Sequence, residues 1–393
     1  MKIIHMSDLH LGKRVNEFPM TDDQRYILER VIDVTETERP DAFIIAGDIY
    51  DKPDPPAEAV QLFDDFLCRL ADLGMDIFII SGNHDSAERL SFGARIMSRR
   101  GVHLAGGYDG KVHKVTLNDE FGKINFYLLP FLKPVHVRAL IDREYPADQE
   151  KPVIKTFNDA VRFAVDRLNI DKSERNVMIA HQFVTGSKRC DSEEISVGGL
   201  DNVDASIFDG IDYTALGHLH GPQYAASAAT GTVRYCGSPL KYSFSEADQE
   251  KSLTIVEIGQ KYNRTCDVDI RTAELVPYRD LRVLRGSFND LTDNFYYKDI
   301  KKDDYMRIVL TDEDDVIGAL ADLRVIYPNI MRLEYDNTRT RAASIMPDAS
   351  DTDSRTPLEV FASLYEAQNG KAMDEKQTML ITEMINKVWS EEK

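Results

Sequence analysis

An α/β protein is predicted from two observations: short apolar runs that read as buried strands alternate with helical periodicity through about residue 270, and no internal repeat or long low-complexity segment interrupts them. Size adds a third. The 393 residues exceed what one hydrophobic core usually serves, so a large domain with a smaller companion is expected.

The strands come first because each runs into a polar cluster. Met1–Met6 leads to Asp8-Leu9-His10, Ala42–Ala46 to Gly47-Asp48, and Ile77–Ile80 to Gly82-Asn83-His84-Asp85. Val177–Ala180 leads to His181, and Tyr213–Leu216 to Gly217-His218-Leu219-His220. In open α/β sheets ligands collect beyond the carboxyl ends of the strands, so these clusters can converge on one site. Between two of them, Ala57–Leu73 spaces Val60, Phe63, Leu67, Leu70 and Leu73 three and four apart, which predicts an amphipathic helix ending at Gly74.

Further along, Leu281–Tyr335 reads as a separate small α/β domain. Strands are expected at Leu281–Leu284, Tyr305–Leu310 and Ile330–Tyr335, with a helix after the first and another at Val316–Ile326. From Thr338 to Arg355 the chain is polar, carries Pro347 and lacks apolar periodicity, which suits a linker. Thr356-Pro357-Leu358-Glu359 then combines an N-cap threonine, a proline at the first helical position and a nearby glutamate. That helix should close at Asn369-Gly370, and a second one, Met373–Trp389, places Leu380, Met384, Ile385 and Val388 on one stripe. The expected organisation is therefore 1–272 for the main domain, 273–337 for the small one, 338–355 for the linker and 356–393 for a helical tail made for a partner.

The formal charge of -19 opposes attraction of nucleic acid to a general basic surface, so any anionic substrate must be drawn in locally. Cys68, Cys190, Cys236 and Cys266 are too scattered for a disulfide framework or a thiolate zinc site, and a reducing cytoplasm suits them. The N-terminus enters a strand at once without the pattern of a standard export signal, and no run approaches the roughly 20 apolar residues that span a bilayer, so a cytoplasmic protein without a membrane partner is expected.

Taken singly, the polar clusters are ordinary turns and a lone histidine is an ordinary buried one. Five such endings in series are not. Carboxylate, amide oxygen and imidazole together suit manganese, iron or zinc better than calcium or magnesium. Asp48 can bridge two divalent ions, one completed by Asp8, His10 and His220, the other by Asn83, His181 and His218. Two divalent ions outweigh two aspartates and a bridging hydroxide, so the site is locally cationic where a phosphodiester is anionic. Such a pair acidifies water and stabilises in-line displacement, which implies hydrolysis of a phosphate ester. His84 is left over and is expected to stabilise the transition state or protonate the leaving oxygen, with Asp51 or Asp85 orienting it. His5, His103, His113 and His136 read as structural.

These residues resemble the calcineurin-like metallophosphoesterases, and among them the bacterial SbcD-type DNA exonuclease subunits. The likeness rests on His5-Met6-Ser7-Asp8-Leu9-His10-Leu11-Gly12, Ala46-Gly47-Asp48-Ile49-Tyr50-Asp51, Ser81-Gly82-Asn83-His84-Asp85-Ser86, Ala180-His181-Gln182-Phe183-Val184 and Ala215-Leu216-Gly217-His218-Leu219-His220. Tyr235-Cys236-Gly237-Ser238-Pro239-Leu240, Tyr242-Ser243-Phe244-Ser245-Glu246, Lys251-Ser252 and Val197-Gly198-Gly199-Leu200 sharpen it, being similar to stretches that ordinary phosphatases lack. The resemblance implies a two-sheet sandwich flanked by helices, a capping domain near a DNA channel, and C-terminal helices engaging an SMC-type ATPase of the SbcC kind. It also implies a homodimer within a heterotetramer, two Mn2+ ions, exonuclease action on duplex ends with the ATPase, and endonuclease action on single strands and hairpins, in DNA end processing, replication and recombination. Lys13, Arg14 and Lys241 adjoin the motifs and could meet DNA phosphates. The alternatives are a stand-alone metallophosphatase or cyclic-nucleotide phosphodiesterase, and a metal-free scaffold; a scaffold has no need of a complete ligand set.

Overall fold

Strands rich in Ile, Val and Phe are buried along their whole length here because both of their faces are covered. The computed structural model describes residues 1–146, 149–193, 201–225, 231–344, 357–369 and 372–391. It falls into two units, Met1–Leu281 and Arg282–Lys393.

The first unit runs β1 (Lys2–Met6), α1 (Thr21–Glu38), β2 (Ala42–Ala46), α2 (Ala57–Asp72), β3 (Asp76–Ile80), β4 (Val102–Ala105), β5 (His113–Asp119) and β6 (Gly122–Leu129). It continues through α3 (Pro134–Glu144), α4 (Phe157–Asp166), β7 (Arg175–His181), β8 (Tyr213–Gly217), β9 (Gln223–Tyr224), β10 (Thr232–Tyr235), β11 (Ser252–Tyr262) and β12 (Thr265–Glu274). One six-stranded sheet has the order β12-β11-β1-β2-β3-β4 and the other β9-β10-β8-β7-β6-β5. Within them β1 to β4 are parallel, as are β6, β7, β8 and β10.

The two sheets face each other through alternate residues, among them Ile3, Ile44, Phe78, Phe126, Val177, Ile179 and Val256. The Phe78 and Phe126 rings stack across that interface with centroids 4.2 Å apart. The outer face of the second sheet buries Met178 and Ala180 with Val137 and Ile141 of α3 and Val161 and Ala164 of α4. On the outer face of the first, Phe43 meets Phe66 of α2 edge-on at 6.4 Å. The fold is a two-sheet sandwich flanked by helices. In α2 the buried stripe is Ala59, Leu62, Phe63, Phe66 and Leu70, whereas Val60 and Leu73 are 44% and 40% exposed. The expected stripe shares Phe63 and Leu70 with the observed one, and the helix is rotated from it because two ring contacts, Phe66 on Phe43 and Phe63 on Tyr50, set its face.

His5 of β1 is fully buried, with Nδ1 2.8 Å from the Tyr213 hydroxyl of the facing sheet. Burial, and then the charge of Arg234, push its pKa from 6.5 to about 3. Between those values the unfolded chain takes up a proton that the folded chain excludes, so stability falls as pH drops through that window, by about 1.4 kcal/mol per pH unit. His5→Gln should flatten this dependence. Urea midpoints of both proteins at about pH 7 and about pH 5 check it, and parallel losses would show that His5 is not the excluded site.

The second unit contains β13 (Leu281–Gly286), α5 (Phe288–Thr292), α6 (Asn294–Tyr297), β14 (Tyr305–Leu310), α7 (Ala319–Ile326), β15 (Ile330–Tyr335), α8 (Thr338–Ser344), α9 (Pro357–Asn369) and α10 (Glu375–Glu391). Its sheet has the order β13-β14-β15 over a core of Leu284, Leu291, Met306, Ile308, Leu310, Leu323, Tyr327 and Ile330. α7 starts at Ala319 rather than Val316, because Gly318 turns left-handed at φ 77° and re-aims the chain. The stretch expected to begin a linker opens instead with α8. There Asn337 and Thr340 cap each other reciprocally at 3.0 Å, and the Asn337 amide donates to the Asp312 carbonyl at 3.1 Å, so the polar residues serve a helix start. Pro347, Thr356 and Gly370 lie outside the described residues. α10 is joined to α9 by the Gln377 amide donating to the Tyr365 hydroxyl at 2.9 Å. Leu380 and Met384 are exposed and Ile385 is half-buried, while the side chains of Val388 and Trp389 lie outside the described residues. Among the described residues no helix is long and apolar enough to cross a membrane.

Candidate metal centre

The carboxyl ends of β1, β2, β3, β7 and β8 carry the clustered residues, and the chain bends sharply to aim them. Asp8, His10, Asp48 and His218 all take left-handed backbone conformations, with φ of 55°, 44°, 50° and 102°. Each such residue costs about 1–3 kcal/mol, and these strained conformations gather where side chains must be pointed rather than merely buried. Two glycines make room. A Cβ at Gly82 would lie 2.0 Å from the Asp48 carboxylate, and one at Gly47 (φ 88°) would lie 2.5 Å from His181 Nδ1.

Two groups of donor atoms form around Asp48. In the first, Asp8, His10 and His220 have ligand atoms within 4.8 Å of one another, and the His10 and His220 Nε2 atoms are 3.1 Å apart. In the second, Asp8, Asp48 and His181 meet the same limit, and His181 Nε2 and His218 Nδ1 each lie 3.1 Å from Asn83 Oδ1. Asp48 Oδ2 stands between them, 3.7 Å from His10 Nε2 and 3.3 Å from His181 Nε2. The seven residues that the sequence singled out as ligands therefore come together, with the Asp48 carboxylate between the two groups.

Burial would raise the Asp48 carboxyl, but His181, His10 and His84 around it hold it well below the usual range. Burial opposes a charge on His181 too, yet Asp48 and Asp8 raise it to about 9. Burial keeps His10 neutral, at about 3, and burial with the neighbouring His181 pushes His218 well down. A buried carboxylate is thus balanced by a proton on His181, and a divalent cation would take that proton's place. Four imidazoles, two aspartates, an amide oxygen and no thiolate form a donor set that fits two such ions of borderline hardness.

His84 Nε2 is 4.0 Å from Asp48 Oδ2, and His10, Asp48 and His84 also form a group with ligand atoms within 4.8 Å. Its Nδ1 lies 3.0 Å from the Asp51 backbone carbonyl, which orients the ring. Asp51 thus acts through its main chain. Its carboxylate instead lies 2.6 Å from Lys13 Nζ and 3.5 Å from His10 Nδ1. Asp85 accepts from the amides of Gly82, Tyr50 and Ile49 at 2.8, 3.0 and 3.2 Å, so it pins two loops together.

The cations expected to meet DNA are differently occupied. Lys13 is held by Asp51. Lys241 is only 9% exposed, paired with Asp280 at 2.9 Å and donating to the Ala247 carbonyl at 2.6 Å, so it holds the fold rather than facing a ligand. Arg14 is exposed and donates to the Glu17 carbonyl.

The supporting roles of several residues escaped the sequence reading. Gln24 of α1 donates to the His10 carbonyl at 2.7 Å and accepts from Gly12 at 3.0 Å; a polar residue in register with the buried Ile27, Leu28 and Val31 was its signal. Ser7 donates to Asp8, and the Tyr242 hydroxyl donates to the Leu9 carbonyl. Ser192, Glu193, Glu246 and Lys251 surround His220. Val197-Gly198-Gly199-Leu200 lies outside the described residues.

Two family models match the chain: the Calcineurin-like phosphoesterase model over residues 1–222, and SbcD_C, described as the Type 5 capsule protein repressor C-terminal domain, over residues 277–369. Among solved structures, a dimetal phosphatase from Danio rerio is 11% identical, with 70% of this chain and 96% of that one covered at a TM-score of 0.44. The protein TT1561 of Thermus thermophilus is 13% identical, with 70% and 99% covered at a TM-score of 0.39.

Proposed function

The chain belongs to the calcineurin-like phosphoesterase family, and from that premise we propose that it is the nuclease subunit of an SbcD-type complex, hydrolysing DNA phosphodiester bonds with two Mn2+ ions. The SbcD_C match over residues 277–369, following a complete ligand set, is the observation that carries it. A phosphatase acting alone on small esters has no use for that domain. The partners proposed are DNA and an SbcC-like ATPase, with the subunit as a homodimer in a heterotetramer.

Asp48 with Asp8, His10 and His220 would hold one ion, and Asp48 with Asn83, His181 and His218 the other. When bound, the pair supplies Lewis acidity to the phosphate and to the attacking water. The remaining work falls to the chain. His84 donates from Nδ1 to the Asp51 carbonyl, which turns Nε2 to the side of Asp48, and from there the imidazolium would protonate the leaving oxygen. With a net charge of -19, attraction of DNA depends on the centre itself and on local side chains.

The test uses the full chain, Mn2+, end-labelled hairpin, single-stranded and duplex DNA, and a small aryl phosphate. Cutting of hairpins and single strands with Mn2+ alone is expected, and digestion of duplex ends only with the ATPase and ATP. Turnover of the aryl phosphate with none of any DNA would overturn the proposal in favour of a stand-alone phosphatase.

A further inference from the structure

His220 is held differently from His181, by side chains that lie far from it in the sequence. His181 sets its Nδ1 against a backbone carbonyl, that of Ala46, at 2.8 Å. The Nδ1 of His220 lies 2.8 Å from the Ser192 hydroxyl, and that hydroxyl donates to Glu246 Oε1 at 2.6 Å. Glu246 is fully buried. Its other oxygen accepts from Lys251 Nζ at 2.6 Å, and its Oε1 also accepts from the Tyr242 amide at 3.2 Å. The main chain of His220 is gripped at both ends, its amide donating to Glu193 Oε1 at 2.6 Å and its carbonyl accepting from Lys251 at 2.8 Å.

Counting donors settles the direction of every proton. Glu246 faces the Lys251 ammonium as a carboxylate and can only accept. Ser192 has one hydroxyl proton, and the carboxylate takes it. The serine oxygen can then only accept from His220, which places a proton on Nδ1, so that in the neutral ring a metal requires, the lone pair is on Nε2, the atom 3.1 Å from His10 Nε2 in the first donor group.

We infer that Ser192 and Glu246 form a hydroxyl-bridged carboxylate relay that fixes the tautomer and ring direction of His220 and so sets the affinity of one of the two metal positions. Both are positioning residues, since neither touches substrate or metal. A hydroxyl between carboxylate and imidazole makes the relay dependent on a single atom, Ser192 Oγ, and gives the buried Glu246–Lys251 pair a role in the centre. Outer partners of a ligating histidine typically contribute 10–100-fold in metal affinity.

The inference rests on His220 being a metal ligand, and the test separates the two. Full-length wild type, Ser192→Ala, Ser192→Thr and Glu246→Gln are titrated with Mn2+ alone by calorimetry, with circular dichroism recording the fold. Ser192→Ala leaves the Glu246–Lys251 pair intact, so it is the decisive variant even where Glu246→Gln unfolds. One site is expected to weaken by roughly 10–100-fold in Ser192→Ala while the other is unchanged, and Ser192→Thr is expected to bind both ions as wild type does. Two wild-type affinities in Ser192→Ala, equal loss at both sites, or no recovery in Ser192→Thr would overturn the relay. A wild type that binds no Mn2+ would instead remove the metal centre on which it stands.

Discussion

His84→Ala is expected to keep both divalent ions and to lose turnover by a factor on the order of 10²–10⁴, whereas Asp48→Ala should lose metal and activity together. The difference follows from what each side chain faces. Asp48 Oδ2 lies 3.3 Å from the His181 imidazole and 3.7 Å from that of His10, in opposite donor groups, so its removal takes an anion from both. His84 stands farther off, with Nε2 4.0 Å from that oxygen, and its Nδ1 lies 3.0 Å from the Asp51 carbonyl, which turns the ring so that Nε2 is on the side of Asp48. A rival assignment exists because His84 also groups with His10 and Asp48. Elemental analysis of purified variants decides between them. If His84→Ala emerges with fewer ions than wild type, His84 is a ligand and its role as proton donor is wrong.

The strands and the polar clusters that follow them were legible because both are local. An apolar run of five residues between turn-forming residues announces β2 or β8 without knowledge of its neighbours, and a ligand at a strand's carboxyl end is aimed by its own turn. What surrounds the ligands was not legible, because it is assembled from residues far apart in the chain. Ser192 reaches Glu246 across 54 positions, and Lys13 reaches Asp51 across 38. Asp85 shows the same limit at short range. A carboxylate next to a histidine in sequence reads as that ring's partner, yet three backbone amides from two loops also converge on it, and none of them is announced by the sequence. In α2, two apolar stripes overlapped in the sequence, and only aromatic contacts from Phe43 and Tyr50 selected between them. The start of α8 was missed because polar residues suited to a tether are equally suited to a cap, and only the position of the Asp312 carbonyl distinguishes the two.

Removal of everything after Ser344 is expected to leave Mn2+-dependent cutting of single strands intact, while abolishing co-purification with the ATPase and ATP-stimulated digestion of duplex ends. The apolar core of the second unit draws on β13, β14, β15 and the helices between them, with no described residue of α9 or α10 in it, so the truncated chain should keep its fold. The tail itself shows apolar surface: Met379, Leu380 and Met384 of α10 are more than half exposed, and Phe361 and Leu364 of α9 are exposed as well. Apolar side chains three and four positions apart on an exposed helix suit a groove or a coiled-coil surface on a partner. The SbcD_C match includes α9 and ends at Asn369, before α10 begins. A cut after Asn369 therefore tests whether Leu380 and Met384 carry the binding, and it should weaken capture of the ATPase as severely as the longer truncation. Unchanged affinity in the longer truncation, or its unfolding, would mean that the tail serves the chain's own fold and that the ATPase docks elsewhere.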